Sequence, residues 1–153
     1  MTQRFDFSQS DPKAHQAMLG LEAYLRQCGL PPQLLHLIKT RASQLNGCAF
    51  CIDMHTKEAR ADGESEQRLY ALSAWAETPF FTPAERAALA LTEVVTRISE
   101  QAVPDAVYAE ACQHYSEAEV TQLLIAIVTI NSWNRLVIAS QVLPGSYTVP
   151  VAA

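Results

Sequence analysis

The fold class legible in the sequence is all-α, and three observations carry it. Apolar residues recur at three- and four-residue spacing in one segment after another, the period of a helix with one buried face. Helix starts are spelled out repeatedly: Asp11-Pro12, Thr82-Pro83-Ala84-Glu85 and Ser116-Glu117-Ala118-Glu119, the last two being capping boxes. No stretch of useful length alternates with the two-residue period of a strand, and no internal repeat or long linker divides the chain. A single-domain bundle of about seven helices over residues 1–153 is the expectation.

Taken in order, Asp11-Pro12 opens a first helix with Ala17, Met18, Leu21, Tyr24 and Leu25 on one face, ending at Gly29. Leu30-Pro31-Pro32 sets up the second, whose buried face is Leu34, Leu35, Ile38, Ala42 and Leu45 and whose stop is Asn46-Gly47. Cys48 opens a third helix reaching Asp62-Gly63, with Lys57, Glu58 and Arg60 marking a solvated far half. A fourth covers Glu66 to Glu77, with Leu69, Leu72 and Trp75 inward, and stops before Pro79. The fifth begins in the Thr82 capping box and buries Ala87, Ala88, Leu91, Val94, Val95 and Ile98. Pro104 starts the sixth, with Val107, Ala111 and Cys112 inward. The seventh runs from the Ser116 box to Pro144-Gly145 and is apolar nearly all round from Leu123 to Ile130, which points to burial on every side or at a subunit interface. The last nine residues read as a loose or docking tail.

A formal charge of -5 with no cluster of Lys or Arg argues against a nucleic-acid surface. The first seven residues lack the apolar run of a secretory signal, so a cytoplasmic location is expected. The apolar run from Leu123 to Ile130 is far shorter than the roughly 18 residues of a membrane span. In a reducing compartment four cysteines signify chemistry rather than a disulfide framework, although Cys28 and Cys112 stand alone and suit buried small hydrophobes.

The chemistry is concentrated in Asn46-Gly47-Cys48-Ala49-Phe50-Cys51-Ile52-Asp53-Met54-His55. Cys48, Cys51 and His55 fall at i, i+3 and i+7, one stripe of a helix that starts at Gly47 or Cys48. Zinc needs four ligands, and neither a second Cys-x-x-Cys nor a closely spaced histidine pair is present, so redox chemistry is favoured and no metal or cofactor is expected. A thiol of pKa near 8.5 is only about 3% thiolate at neutral pH. Lowering that pKa to about 7 raises thiolate roughly 16-fold but costs about fivefold in nucleophilicity, a net gain of about threefold. The larger contribution has to be general acid catalysis: a histidine that takes the thiol proton and returns it to a leaving alkoxide is worth about 10²- to 10⁴-fold. His55 is placed for that role, with a sulfenic acid on Cys51 then trapped by Cys48.

Ser43-x-x-Asn46-Gly47-Cys48-x-x-Cys51-x-x-x-His55 resembles the core motif of the alkylhydroperoxidase D-like branch of the carboxymuconolactone decarboxylase family, over about Pro31 to Arg135. The resemblance implies that Cys51 is the peroxidatic cysteine, Cys48 the resolving one and His55 part of a proton relay. It also implies an all-helical homo-oligomer, trimeric or hexameric, that reduces peroxides and is re-reduced by a dithiol protein, for instance a lipoyl-bearing one. The family's relay glutamate, twelve residues before the first cysteine, is replaced by His36. A protonated His36 would favour the thiolate directly and make activity pH-sensitive between about pH 5 and 8. Glu93, in Thr92-Glu93, is a candidate for the missing carboxylate, and Asn131-Ser132-Trp133-Asn134-Arg135 also resembles a family segment suited to hydrogen bonds within the bundle or across an interface. Three other readings stay open: a general thiol-disulfide oxidoreductase or redox sensor, a lactone decarboxylase that needs no dithiol, and a non-catalytic helical assembly.

Overall fold

The computed structural model describes residues 2–150, and among them there are eight α-helices, one 3-10 helix and no strand. In chain order these are α1 (Phe7–Ser10), α2 (Pro12–Leu25), α3 (Pro32–Asn46), α4 (Ala49–Ala61), α5 (Glu66–Ala71) followed directly by the 3-10 helix (Leu72–Glu77), α6 (Pro83–Thr96), α7 (Asp105–His114) and α8 (Glu117–Ser140). The starts are those written in the sequence. Asp11 caps α2 with Pro12 at the first position, and Thr82–Glu85 and Ser116–Glu119 close reciprocal capping boxes.

The departures have local causes. The single turn α1, held by the Asp6 carboxylate accepting from the Ser8 N–H at 2.9 Å, is too short to show a period. The fourth expected helix turns 3-10 from Leu72 and kinks at Ala74 (φ −122°, ψ 32°). Helix α6 ends at Thr96, leaving Ile98 beyond it and 61% exposed, and α8 ends at Ser140, four residues before the proline. There Gln141 adopts φ 57°, with its N–H on Ile138 O and the Val142 N–H on Val137 O. Tyr24 and Cys112, expected inward, are both exposed.

Helices α3 and α8 form the centre, and α2, α4 and α6 pack on them. The main core joins Leu25, Leu34, Leu35 and Ile38 to Ala88 and Leu91 of α6 and to Leu123, Ala126 and Ile127 of α8. Each fully buried Leu or Ile here contributes roughly 1.5–3 kcal/mol relative to exposure. A smaller cluster of Leu37, Leu72, Phe81 and Leu89 seats the 3-10 segment. A third joins Cys48 and Cys51 to Val137, with Phe50 and Val142 against them, and so fixes the start of α4 on the end of α8.

Helix α8 is 24 residues long, enough by length and composition to cross a membrane, although its unbroken apolar run is short. Its polar side chains are tied into the bundle. Asn134, fully buried, donates to Ser43 Oγ at 3.0 Å and accepts from Asn46 Nδ2 at 2.9 Å, and Asn131 accepts from the same Asn46 amide at 3.0 Å while donating to Thr96. The polar segment of α8 thus bonds inside the bundle. The expectation of burial on every side holds for Leu123, Ile127 and Ile130 but not for Val128, which is half exposed.

Candidate active site

Gly47 stands in the left-handed region (φ 69°), which only a residue without a Cβ adopts cheaply. The Cys48 N–H returns to Ser43 O at 3.0 Å and the Gly47 N–H to Gln44 O at 3.3 Å, so α3 ends there and the chain turns straight into α4. Cys48 is the N-cap of α4, its Sγ accepting from the Cys51 N–H at 3.4 Å. Cys48 and Cys51 are joined as a disulfide across a Cα–Cα distance of 5.3 Å. The first turn of a helix, with its unpaired N–H groups and partial positive charge, is where a thiolate is best stabilised.

Cys51, His55 and Ala59 form the buried stripe of α4, as the spacing requires. Cys51 and His55 line a cavity of about 840 Å³ between α2, α3, α4 and α8; Cys48 lies behind it. Its walls are largely apolar, with Leu19, Leu35, Phe50, Met54, Ile130 and Trp133 among them; at one side His15 meets Phe7 and Trp133 edge to face, and those two rings pack tilted. Among its polar lining groups, Lys39 pairs with Glu22 at 2.6 Å and His36 with Asp62 at 2.7 Å, and Asp6 and Arg26 also border it.

His55 Nδ1 lies 2.9 Å from Glu58 Oε2, and the other carboxylate oxygen, Oε1, accepts from the Tyr147 hydroxyl at 2.6 Å. Burial is the largest influence on His55 and lowers its pKa, outweighing the Glu58 hydrogen bond, so the ring is neutral. Burial pushes the Glu58 pKa up, but donation from His55 and Tyr147 outweighs it and takes the group from its usual 4.5 to about 2. An ionised carboxylate accepts only, so the single ring proton of His55 sits on Nδ1 and leaves Nε2 basic.

Of the residues singled out from sequence, Cys51, His55 and His36 meet at the cavity, with Cys48 bonded to Cys51. Glu93 does not join them. Its Oε1 accepts from Arg41 Nη2 and Trp75 Nε1, both at 2.7 Å, on the α3–α6 side of the bundle, where the guanidinium claims the charge offered to a relay. Cys28 packs against the core with Sγ donating to Leu25 O at 3.2 Å. Sequence reasoning missed Glu58 and Tyr147. Glu58 carried a usable signal, since i+3 from a buried histidine is a contacting position. Its polar neighbours suggest a solvated face because the tail that covers it is distant in sequence: Lys57 donates to Tyr147 O at 3.0 Å and the Gly145 N–H to Asp53 at 3.0 Å, docking Gly145 and Tyr147 on α4. Residues 151–153, the end of the expected tail, lie outside the described residues.

The sequence pattern of the carboxymuconolactone decarboxylase family matches residues 12–94, and the chain belongs to that family. Within it the fold is AhpD-like: a protein of unknown function from Agrobacterium tumefaciens, Atu0492, named as a candidate antioxidant defence protein AhpD, superposes with a TM-score of 0.92 at 40% identity, over 95% of this chain and all of that one. The uncharacterized protein YdfG of Bacillus subtilis is 46% identical over 139 residues, 91% of this chain and 95% of its own length. The debrominase Bmp8 shares the fold alone, with a TM-score of 0.79 at 21% identity over 90% of this chain and 74% of its own.

Proposed function

We propose that this protein is a dithiol peroxidase in which Cys51 attacks the peroxide, Cys48 resolves it and His55 carries the proton. The observation that carries the reading is the Cys48–Cys51 pair at the N-terminus of α4, with only Cys51 lining the cavity and His55 one turn further along it. Family membership and the AhpD-like neighbour support the coarser antioxidant role.

The reaction balances in two steps. His55 Nε2 takes the proton of Cys51, and the thiolate attacks one peroxide oxygen, breaking the O–O bond; the alkoxide that leaves takes the proton back from His55, giving an alcohol and Cys51 sulfenic acid. The Cys48 thiol then attacks the sulfenic sulfur, releasing water and forming the disulfide. An external dithiol reduces that disulfide and closes the cycle. A general thiol-disulfide oxidoreductase would share the last step but not the first, and Cys51 facing an apolar-walled cavity favours a small organic oxidant over a protein disulfide.

Turnover of an organic hydroperoxide with dihydrolipoamide as reductant tests this. The expected result is reductant consumption in equal proportion to alcohol formed, abolished in Cys51→Ser. Ready reduction of a small disulfide with no alcohol formed would replace the peroxidase reading with the oxidoreductase one.

A further inference from the structure

We propose that Glu58, anchored by Tyr147, is the positioning carboxylate of the dithiol site, holding His55 as the imidazole whose Nε2 is the base for Cys51. This rests on the reading of Cys51 as the attacking thiol. It places the carboxylate on α4 itself, three residues after the histidine, rather than on α3, where His36 stands.

Glu58 Oε2 takes the Nδ1 side of His55 at 2.9 Å, and Glu58 lies C-terminal to the ring while Cys51 lies N-terminal to it on the same helix. The ring nitrogens are on opposite edges, so fixing Nδ1 leaves Nε2 without a proton as the acceptor. The Tyr147 hydroxyl occupies Oε1 at 2.6 Å, so the carboxylate has one oxygen for the tail and one for the histidine. His36 does not take this place: its Nε2 pairs with Asp62 at 2.7 Å, and its buried Nδ1 has no partner among the described residues, so it makes no hydrogen bond to His55. Proton transfer turns Cys51–SH and neutral His55 into a thiolate and an imidazolium, with Glu58 ionised throughout. The negative charge beside Nδ1 stabilises the imidazolium and so lowers the pKa at which Cys51 ionises. The other charged groups acting on the ring are Glu22 of α2 and Lys39 of α3; His36 of α3 acts on Glu58, and Asp6, His15, Arg26 and Asp62 lie elsewhere on the cavity lining.

The test uses the reduced full-length chain, with alkylation of Cys51 by iodoacetamide read peptide by peptide from pH 5 to 10, in wild type and Glu58→Gln. Gln keeps the size and an acceptor oxygen but not the charge. The apparent pKa of Cys51 is expected to rise by about one unit in the variant, while the high-pH plateau stays equal to wild type or up to about threefold higher, because a more basic thiolate is the better nucleophile. A structural lesion would lower the plateau instead. The second measurement needs no variant: ¹⁵N chemical shifts of His55 at pH 8 are expected to show the Nδ1–H tautomer. An unchanged Cys51 pKa in Glu58→Gln, or an Nε2–H tautomer in wild type, overturns the proposal. Because iodoacetamide is not a peroxide, a shifted pKa together with no peroxide turnover would sink the peroxidase reading and leave this one standing.

Discussion

Two partly buried carboxylates, Glu58 and Glu93, each accept two kinds of donor, yet only Glu58 borders the cavity that Cys51 and His55 line. Glu93 is held by the Arg41 guanidinium and the Trp75 indole, both permanent donors that cannot give up their protons near neutral pH. Glu58 is held by a tyrosine and a neutral histidine whose other nitrogen is free to accept a proton, and the histidine lines a cavity with a thiol on its wall. A carboxylate neutralised by a fixed cation stabilises a fold. One paired with a neutral base raises that base's appetite for a proton. The two sites therefore respond differently to substitution, and the contrast can be tested at each.

The largest effect belongs to the thiols. Cys51→Ser is expected to lower peroxide turnover by at least about 10³-fold, since no other group at the cavity can replace the nucleophile. Cys48→Ser is expected to leave the first oxidation intact and let Cys51 advance to sulfinic acid, a gain of two oxygens read by mass. At the comparison site, Glu93→Gln removes the charge partner of a mostly buried Arg41 and should cost about 1–3 kcal/mol in urea unfolding. It should leave the pH profile of Cys51 alkylation where it is. A shift there comparable with that of Glu58→Gln would erase the distinction between the two carboxylates.

Acid should destabilise the fold through the same pair. Glu58 and His55 both have pKa values lowered on folding, so their contribution is present above the unfolded values and is lost as pH falls: that of His55 below about 6.5, and that of Glu58 from about 4.5 down to about 2. For Glu58, a part-exposed group whose interactions solvent screens, the loss is about 1–2 kcal/mol. Tyr147→Phe removes one of its two donors, and its carboxyl pKa, followed by ¹³C NMR, is expected to rise from about 2 toward 4.5. The smallest effect lies away from both sites. Gln141→Gly relieves a left-handed non-glycine residue at the end of α8 (φ 57°) and should add about 0.5–1 kcal/mol.

What the sequence made legible is what local rules govern. Caps at Asp11, Thr82 and Ser116, the stop at Gly47 and the buried Cys51–His55 stripe all depend on residues within one or two turns of each other. What it hid depends on contacts between distant segments. Tyr147 reaches Glu58 across 89 residues of chain, and the ring of Asn46, Asn131 and Asn134 joins α3 to α8 across 85 or more. Glu93 and Glu58 are alike in sequence, each an acidic residue on a helix, and only the identity of their distant partners separates a structural carboxylate from one beside a base. For Ile98, Tyr24 and Cys112 the period alone points inward, yet they sit at helix ends or on faces where the bundle supplies no neighbour and are exposed.

The measurement that bears most directly on the account is mass-resolved thiol titration during stoichiometric addition of an organic hydroperoxide to the reduced protein, in wild type and Cys51→Ser, from pH 5 to 9. Fast loss of two thiols per peroxide in wild type, located at Cys48 and Cys51, with Cys48 protected in Cys51→Ser, is the expected result. Oxidation that is slow, that falls on Cys28 or Cys112, or that persists at Cys48 when Cys51 is gone would contradict the assignment of Cys51 as the residue that meets the peroxide.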